Sequence, residues 1–283
     1  MILVDAHVHF YDCFDLTVFL DSALSNFQTA AEKLGCHSKF MAVLFFTEGK
    51  RENGFQRIAR LVEGGQRQKR DPVRSWTFHR TKENISILGR HNGKQGIFLI
   101  AGRQIVTAEN LEVLALGAED GLKSGEPLAE TLQTVKEAGA IPVIPWGAGK
   151  WLGRRGRILR KILEENGDPC LFLGDNGGRP RFWRHPSHFI LAEKKGIRVL
   201  PGSDPLPFET ECLRPGSFGF SLQGSIDPQQ PAKELKRLLL DPATPIHSYG
   251  ELERPFRFFQ NQMAMQILKR KNQQKLRATE NLR

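Results

Sequence analysis

Residues 4–10, Val4-Asp5-Ala6-His7-Val8-His9-Phe10 (VDAHVHF), follow the apolar run Met1-Ile2-Leu3 and set two imidazoles two residues apart. In a strand, residues i and i+2 point to the same face, so His7 and His9 project side by side. A strand can grip a metal ion in this way, with Asp5 either as a further ligand or as a carboxylate that orients an imidazole. The plainer alternative is a pair of hydrogen-bonded histidines in a core or turn.

The pattern outward from this stretch decides the fold. Residues 16–34 carry apolar side chains at helical spacing and stop at Gly35, a natural C-cap, so the chain opens with a βα unit. Residues 40–46, FMAVLFF, read as a second buried strand, and 54–62 as a second helix closed by Gly64-Gly65. Short β-like pieces then cover 76–78, 85–88, 97–101 and 111–116, with no helix between them. Alternation resumes with helices at 127–138, 156–165 and 187–195 and strands at 141–145, 170–173 and 197–200. The Pro- and Gly-rich stretch from 205 to 230 precedes a helix at 231–240 and a last one at 255–276.

Buried strands beginning near residues 1, 40, 97, 111, 141, 170 and 197 make seven. Alternating β and α elements predict an α/β fold with a parallel sheet, open or closed. The C-terminal ends of the strands then share one face, where such folds carry their sites. Those ends hold Asp5, His7 and His9; Arg103-Gln104; Glu109, Glu112 and Glu119-Asp120; Trp146-Gly147; Asp175-Asn176; and Gly202-Ser203-Asp204.

At 283 residues, 40% hydrophobic and 25% charged, the composition suits a soluble globular chain. Met1-Ile2-Leu3-Val4 is too short for a signal-peptide core, and no apolar run approaches a membrane span. A cytoplasmic protein with no membrane partner is expected. Cys13, Cys36, Cys170 and Cys212 are too scattered for a zinc cluster or a disulfide framework.

Lys and Arg number 41 against 31 Asp and Glu, a net +10 that favours anionic partners. Part of this excess lies in the tail, where Phe256, Phe259, Met263 and Ile267 predict a helix packed on the barrel with a basic tip. Nucleic-acid affinity through that tip would be nonspecific and salt-sensitive.

Asp5-Ala6-His7-Val8-His9 after a short N-terminal strand, with Gly202-Ser203-Asp204 after the last one, resembles the metal-dependent hydrolases of the amidohydrolase and PHP (polymerase and histidinol phosphatase) type. The similarity covers residues 1–207. It implies a distorted seven-stranded TIM-type barrel over 1–240, with 241–283 as a C-terminal basic helical extension. It also implies a divalent metal, Zn, Mn or Fe, on His7, His9 and Asp204, with Glu112 where the family has a strand-four histidine. Three departures thin this set: Gln104 stands where a Glu is usual, Trp146-Gly147 where His-Pro is usual, and Leu206 in place of the last histidine.

Two imidazoles and a carboxylate suffice for one ion with open positions. Such an ion lowers the pKa of its water from ~15.7 to about 7, so hydrolysis of an ester, phosphoester or amide is the expected chemistry. Asp204 acts as a ligand, a base, or both in turn. Arg103, Lys150, Arg154 and Asn176 are the candidates for holding an anionic small-molecule substrate. Gly147-Ala148-Gly149-Lys150 lacks the spacing of a phosphate loop, yet a glycine turn leading into a helix with Arg154 near its start suits an anion. Asn176 equally suits a plain Asn-Gly turn. The rival expectation is a barrel that has lost catalysis and binds a ligand or partner.

Overall fold

A computed structural model describes residues 1–36, 39–63, 75–119, 121–165 and 170–280. Gly64-Gly65, Asp120 and Arg283 lie outside the described residues. The opening apolar run forms β1 (Ile2–Val8), paired in parallel with β2 (Met41–Glu48). Both strands are buried almost throughout, as the continuous apolar sequence of an interior parallel strand requires. Between them runs α1 (Leu16–Lys33), started by the Asp15 carboxylate, which accepts from Val18 N–H at 2.9 Å. Gly35, at φ +73°, ends it.

The remaining elements are α2 (Gly54–Glu63), β3 (Trp76–Arg80), β4 (Ser86–His91), β5 (Gly96–Val106), β6 (Glu112–Leu116), α3 (Leu128–Glu137), β7 (Ile141–Pro145), α4 (Gly153–Glu165), β8 (Phe172–Asn176), α5 (Ser187–Lys194), β9 (Val199–Gly202), β10 (Gly219–Leu222), α6 (Pro231–Leu240), β11 (His247–Tyr249) and α7 (Pro255–Glu280). The sheet runs β11-β10-β1-β2-β5-β6-β7-β8-β9, with the β3–β4 ribbon added on β5. The two sides of this nine-strand path nearly meet: beyond β9, Asp204 N–H donates to His7 O of β1 at 2.8 Å. The architecture is therefore mixed α/β with a nearly closed, barrel-like sheet.

The seven strands expected from the sequence are β1, β2, β5, β6, β7, β8 and β9, and they follow one another in chain order. The parallel arrangement does not hold throughout. β6 is antiparallel to both neighbours, with Val106 opposite Glu112 and Leu116 opposite Ile141. The link over 107–111 is too short for the crossover that a parallel pair needs, so it closes a hairpin. β10 and β11, in and beyond the Pro- and Gly-rich stretch, extend the sheet past the expected seven.

Alternate residues of the strands fill the interior. Ile2, Val4 and Ala6 meet Val43, Phe45, Phe98, Ile100, Leu114, Val143, Phe172 and Leu200 in one apolar cluster. Two further clusters lie under the helices, one including α1 and α2 and the other α3, α4 and α5. The β1–β2 register shifts between Asp5 and Val8. Beyond that irregularity His7 meets Gln104, which is in phase with Phe98 and Ile100 of the inner cluster.

β9 closes on β1 only because position 202 has no side chain. A Cβ there would lie 2.4 Å from both the backbone N and the Cβ of His7. Gly202→Ala is expected to destabilise the fold by about 3 kcal/mol as the two strands are pushed apart. Urea denaturation checks this, and an unchanged midpoint would show that β9 does not seat on β1.

The tail departs from expectation. Phe256, Phe259, Met263 and Ile267 are exposed rather than packed, while Phe258 is buried. Helical spacing identifies a line of apolar residues but not the side on which the body lies. No helix among the described residues is long and apolar enough to cross a membrane.

Candidate metal site

The end of β1, the β2–α2 loop, β5 and the loop after β9 converge on one small volume. His7 Nε2 lies 3.1 Å from His9 Nε2, 3.2 Å from Gln104 Oε1 and 3.4 Å from Asp204 Oδ1. His9 Nε2 is 3.6 Å from the same Asp204 oxygen. Both imidazoles are buried and Asp204 is partly so. The side-by-side projection read from the i, i+2 spacing is thus realised.

His9 and Asp204 are held from behind, whereas His7 Nδ1 is buried with no hydrogen-bond partner among the described residues. His9 Nδ1 is 2.8 Å from Glu52 Oε2, and a carboxylate only accepts, so in the neutral ring the proton sits on Nδ1 and the Nε2 lone pair faces His7. Asp204 takes a left-handed backbone, φ +45°, which Asp tolerates better than most residues. Asn176 Nδ2 donates to Asp204 Oδ2, leaving Oδ1 toward the imidazoles. Asp5 ligates nothing. Its Oδ1 accepts from His7 N–H at 3.2 Å and Ser203 N–H at 2.8 Å, and its Oδ2 from Gly216 N–H at 2.8 Å. It fastens β1 to the segments that follow β9 and precede β10.

The electrostatics of the site call for positive charge. Burial lowers the His9 pKa, but the hydrogen bond and charge of Glu52, with Asp204 and Glu112 beyond, outweigh it and raise the value to about 9. His7 goes the other way, held down chiefly by its burial. Burial pushes the Asp5 carboxyl up to about 7 against its three N–H donors. Burial also raises the phenol of Tyr11, whose ring stacks on His9 at 5.4 Å between centroids. With the Nε2 atoms of neutral imidazoles and a carboxylate oxygen facing one another, something positive, a proton or a cation, must sit among them.

The donor set fits a small divalent ion. Tetrahedral bonds of 2.0–2.1 Å hold neighbouring ligand atoms about 3.3 Å apart, and the observed separations are 3.1, 3.4 and 3.6 Å. Two imidazoles with one carboxylate is a combination that suits Zn, Mn or Fe.

The other candidates separate into those near the site and those away from it. Asn176 belongs to it through Asp204. Glu112 is outside the converging trio, because its carboxylate is taken by the Lys150 ammonium. Lys150 therefore sits in an ion pair at the start of β6. Arg103 turns to Glu48, 3.5 Å away, and to Gly49 O rather than to the histidines. Arg154 is exposed, with Glu109 as a charged neighbour. Asp175 is bound by both ends of the Arg179 guanidinium, and His188 by Gly156 O, so both serve the fold. Trp146 is buried and packs edge-on to Trp183.

Sequence reasoning missed Glu52 and Tyr11. Glu52 lies four residues past the end of β2, a strand end bearing Glu48 that belongs on the same face as the others. Tyr11 continues the i, i+2 series of His7 and His9.

The sequence matches no family model and no curated protein. Among solved structures the chain is similar to PsfC from Pseudomonas syringae PB-5123, at 14% identity, with a TM-score of 0.52 over 94% of this chain and 98% of that one. At that identity the likeness concerns the fold alone.

Proposed function

We propose that the protein is a divalent-metal-dependent hydrolase of the PHP-like type. In this reading β1, β2, β5, β6, β7, β8 and β9 are a distorted seven-stranded barrel, and the substrate is an anionic small-molecule ester or phosphoester. The observation that carries the reading is the convergence of His7 Nε2, His9 Nε2 and Asp204 Oδ1 within 3.1 to 3.6 Å. His7, His9 and Asp204 would hold the ion, which supplies an activated water at neutral pH. Glu52 keeps the His9 Nε2 lone pair directed inward. Asp204, anchored through Oδ2 by Asn176, carries the proton taken from the attacking water. Lys150, paired with Glu112, binds the anionic substrate by leaving that carboxylate. Arg103 and Arg154, engaged elsewhere, are not part of this account. Cytoplasmic action fits the free thiols of Cys13 and Cys212.

Elemental analysis of untagged protein purified without chelator tests the reading, beside a His7→Ala, His9→Ala double variant. About one equivalent of Zn, Mn or Fe is expected in the parent and none in the variant. Absence of metal even after incubation with each ion would sink the hydrolase. It would favour a non-catalytic, ligand-binding barrel, a reading supported by the neutral amide of Gln104 against His7.

A further inference from the structure

The outer side of α7 is shaped for contact with something beyond the described residues. Phe256, Phe259, Met263 and Ile267 are 74%, 57%, 67% and 51% exposed. At 3.6 residues per turn they fall within about 80° of one another, a single line along the helix. Phe182, 59% exposed, widens the line, its ring stacked on Phe259 at 6.0 Å and 16°. The opposite side of the helix carries buried Phe258 and half-buried Met265 and Leu268. A contiguous apolar patch of this kind on a soluble chain marks an interaction surface.

Charge narrows the partner. From Pro255 to Lys271 the helix carries Arg257, Lys269, Arg270 and Lys271 and no acidic residue. Arg257 is engaged by Glu211 and Glu253. Lys269, Arg270 and Lys271 are exposed, and Arg270 continues the line beyond Ile267. Arg184, also exposed, follows Phe182 by two positions in the chain. A second copy packed on this line would offer these cations no acidic partner from the same stretch of helix. A protein groove that envelops a helix is obstructed because the inner side is already occupied. What remains is a flat, anionic, apolar-receptive boundary.

We propose that α7 docks the protein peripherally on an anionic lipid surface. Phe256, Phe259, Met263 and Ile267 enter the headgroup boundary, and Arg270 with its neighbours meets the lipid phosphates. Surface docking needs only a line of apolar side chains that reach the boundary, so the lack of a spanning helix among the described residues does not bear on it.

Flotation of the full chain with phosphatidylcholine vesicles, with and without phosphatidylglycerol, tests the proposal. Binding is expected only where phosphatidylglycerol is present, weakening as salt is raised. A Phe259→Glu, Met263→Glu double variant, altered only at exposed positions, should bind about a hundredfold more weakly. Equal binding of parent and variant, or none by either, would overturn it. So would a concentration-dependent rise in mass by sedimentation velocity that the same variant abolishes, which would assign the line to a second copy of the chain.

Discussion

Asp5→Ala is expected to destabilise the protein by about 4 kcal/mol, since three buried N–H donors lose their acceptor and each unsatisfied donor costs roughly 1–3 kcal/mol. Relief from burying the carboxyl itself offsets part of that sum. The donors belong to His7, Ser203 and Gly216, so the loss falls where the strand path nearly closes. Asp5→Asn is expected to cost about half as much, because its carbonyl oxygen still serves two donors while its amide opposes the third. Urea denaturation of both variants gives the order. If the alanine variant melts within ~1 kcal/mol of the parent, Asp5 does not hold the closure.

Under the proposed metal-dependent reading, Glu52→Gln is expected to weaken metal binding ten- to a hundredfold, the usual effect of removing the carboxylate behind a ligating histidine. Metal-free protein provides an independent readout. The hydrogen bond and charge of Glu52 raise the His9 pKa to about 9 from the ordinary imidazole value of about 6.5, so the folded chain keeps a proton that the unfolded chain releases in that window. The resulting stabilisation, on the order of 3 kcal/mol, is fully present below pH 6.5 and is lost as pH rises through about 9. Removing the Glu52 charge should therefore destabilise the variant by about 2 kcal/mol near pH 6.5 and by under ~1 kcal/mol above pH 9. A pH-independent difference would mean that Glu52 acts on the β2–α2 loop and not through His9.

Much of this arrangement was legible from residue order alone. His7 and His9 share a face because the strand period dictates it, and the seven apolar runs could be counted because buried strands need them. Strand direction was harder, since the run from Val113 to Leu116 reads the same both ways. Only the length of the preceding link reveals that it turns back. Glu52 was hidden because its partner lies 43 positions away, a separation set by the β1–β2 register rather than by any local motif. Glu112 was placed on the correct rim, but its pairing with Lys150 depends on how two side chains from different strands meet. The last helix shows the limit of periodicity, which groups Phe256 with Ile267 without saying whether the group faces inward.

The left-handed backbone of Asp204 has an evolutionary consequence. Few side chains sit comfortably at a positive φ, chiefly Gly, Asn and Asp. Aspartate and asparagine codons differ by one base, and the two side chains differ little in shape. A lineage carrying this chain could thus discharge the proposed cation site in one mutational step, with the scaffold intact and still under selection for whatever else it does. Descendants that have abandoned chemistry are expected to carry asparagine at position 204 while His7 and His9 persist, a signature that a survey of related genomes could look for directly.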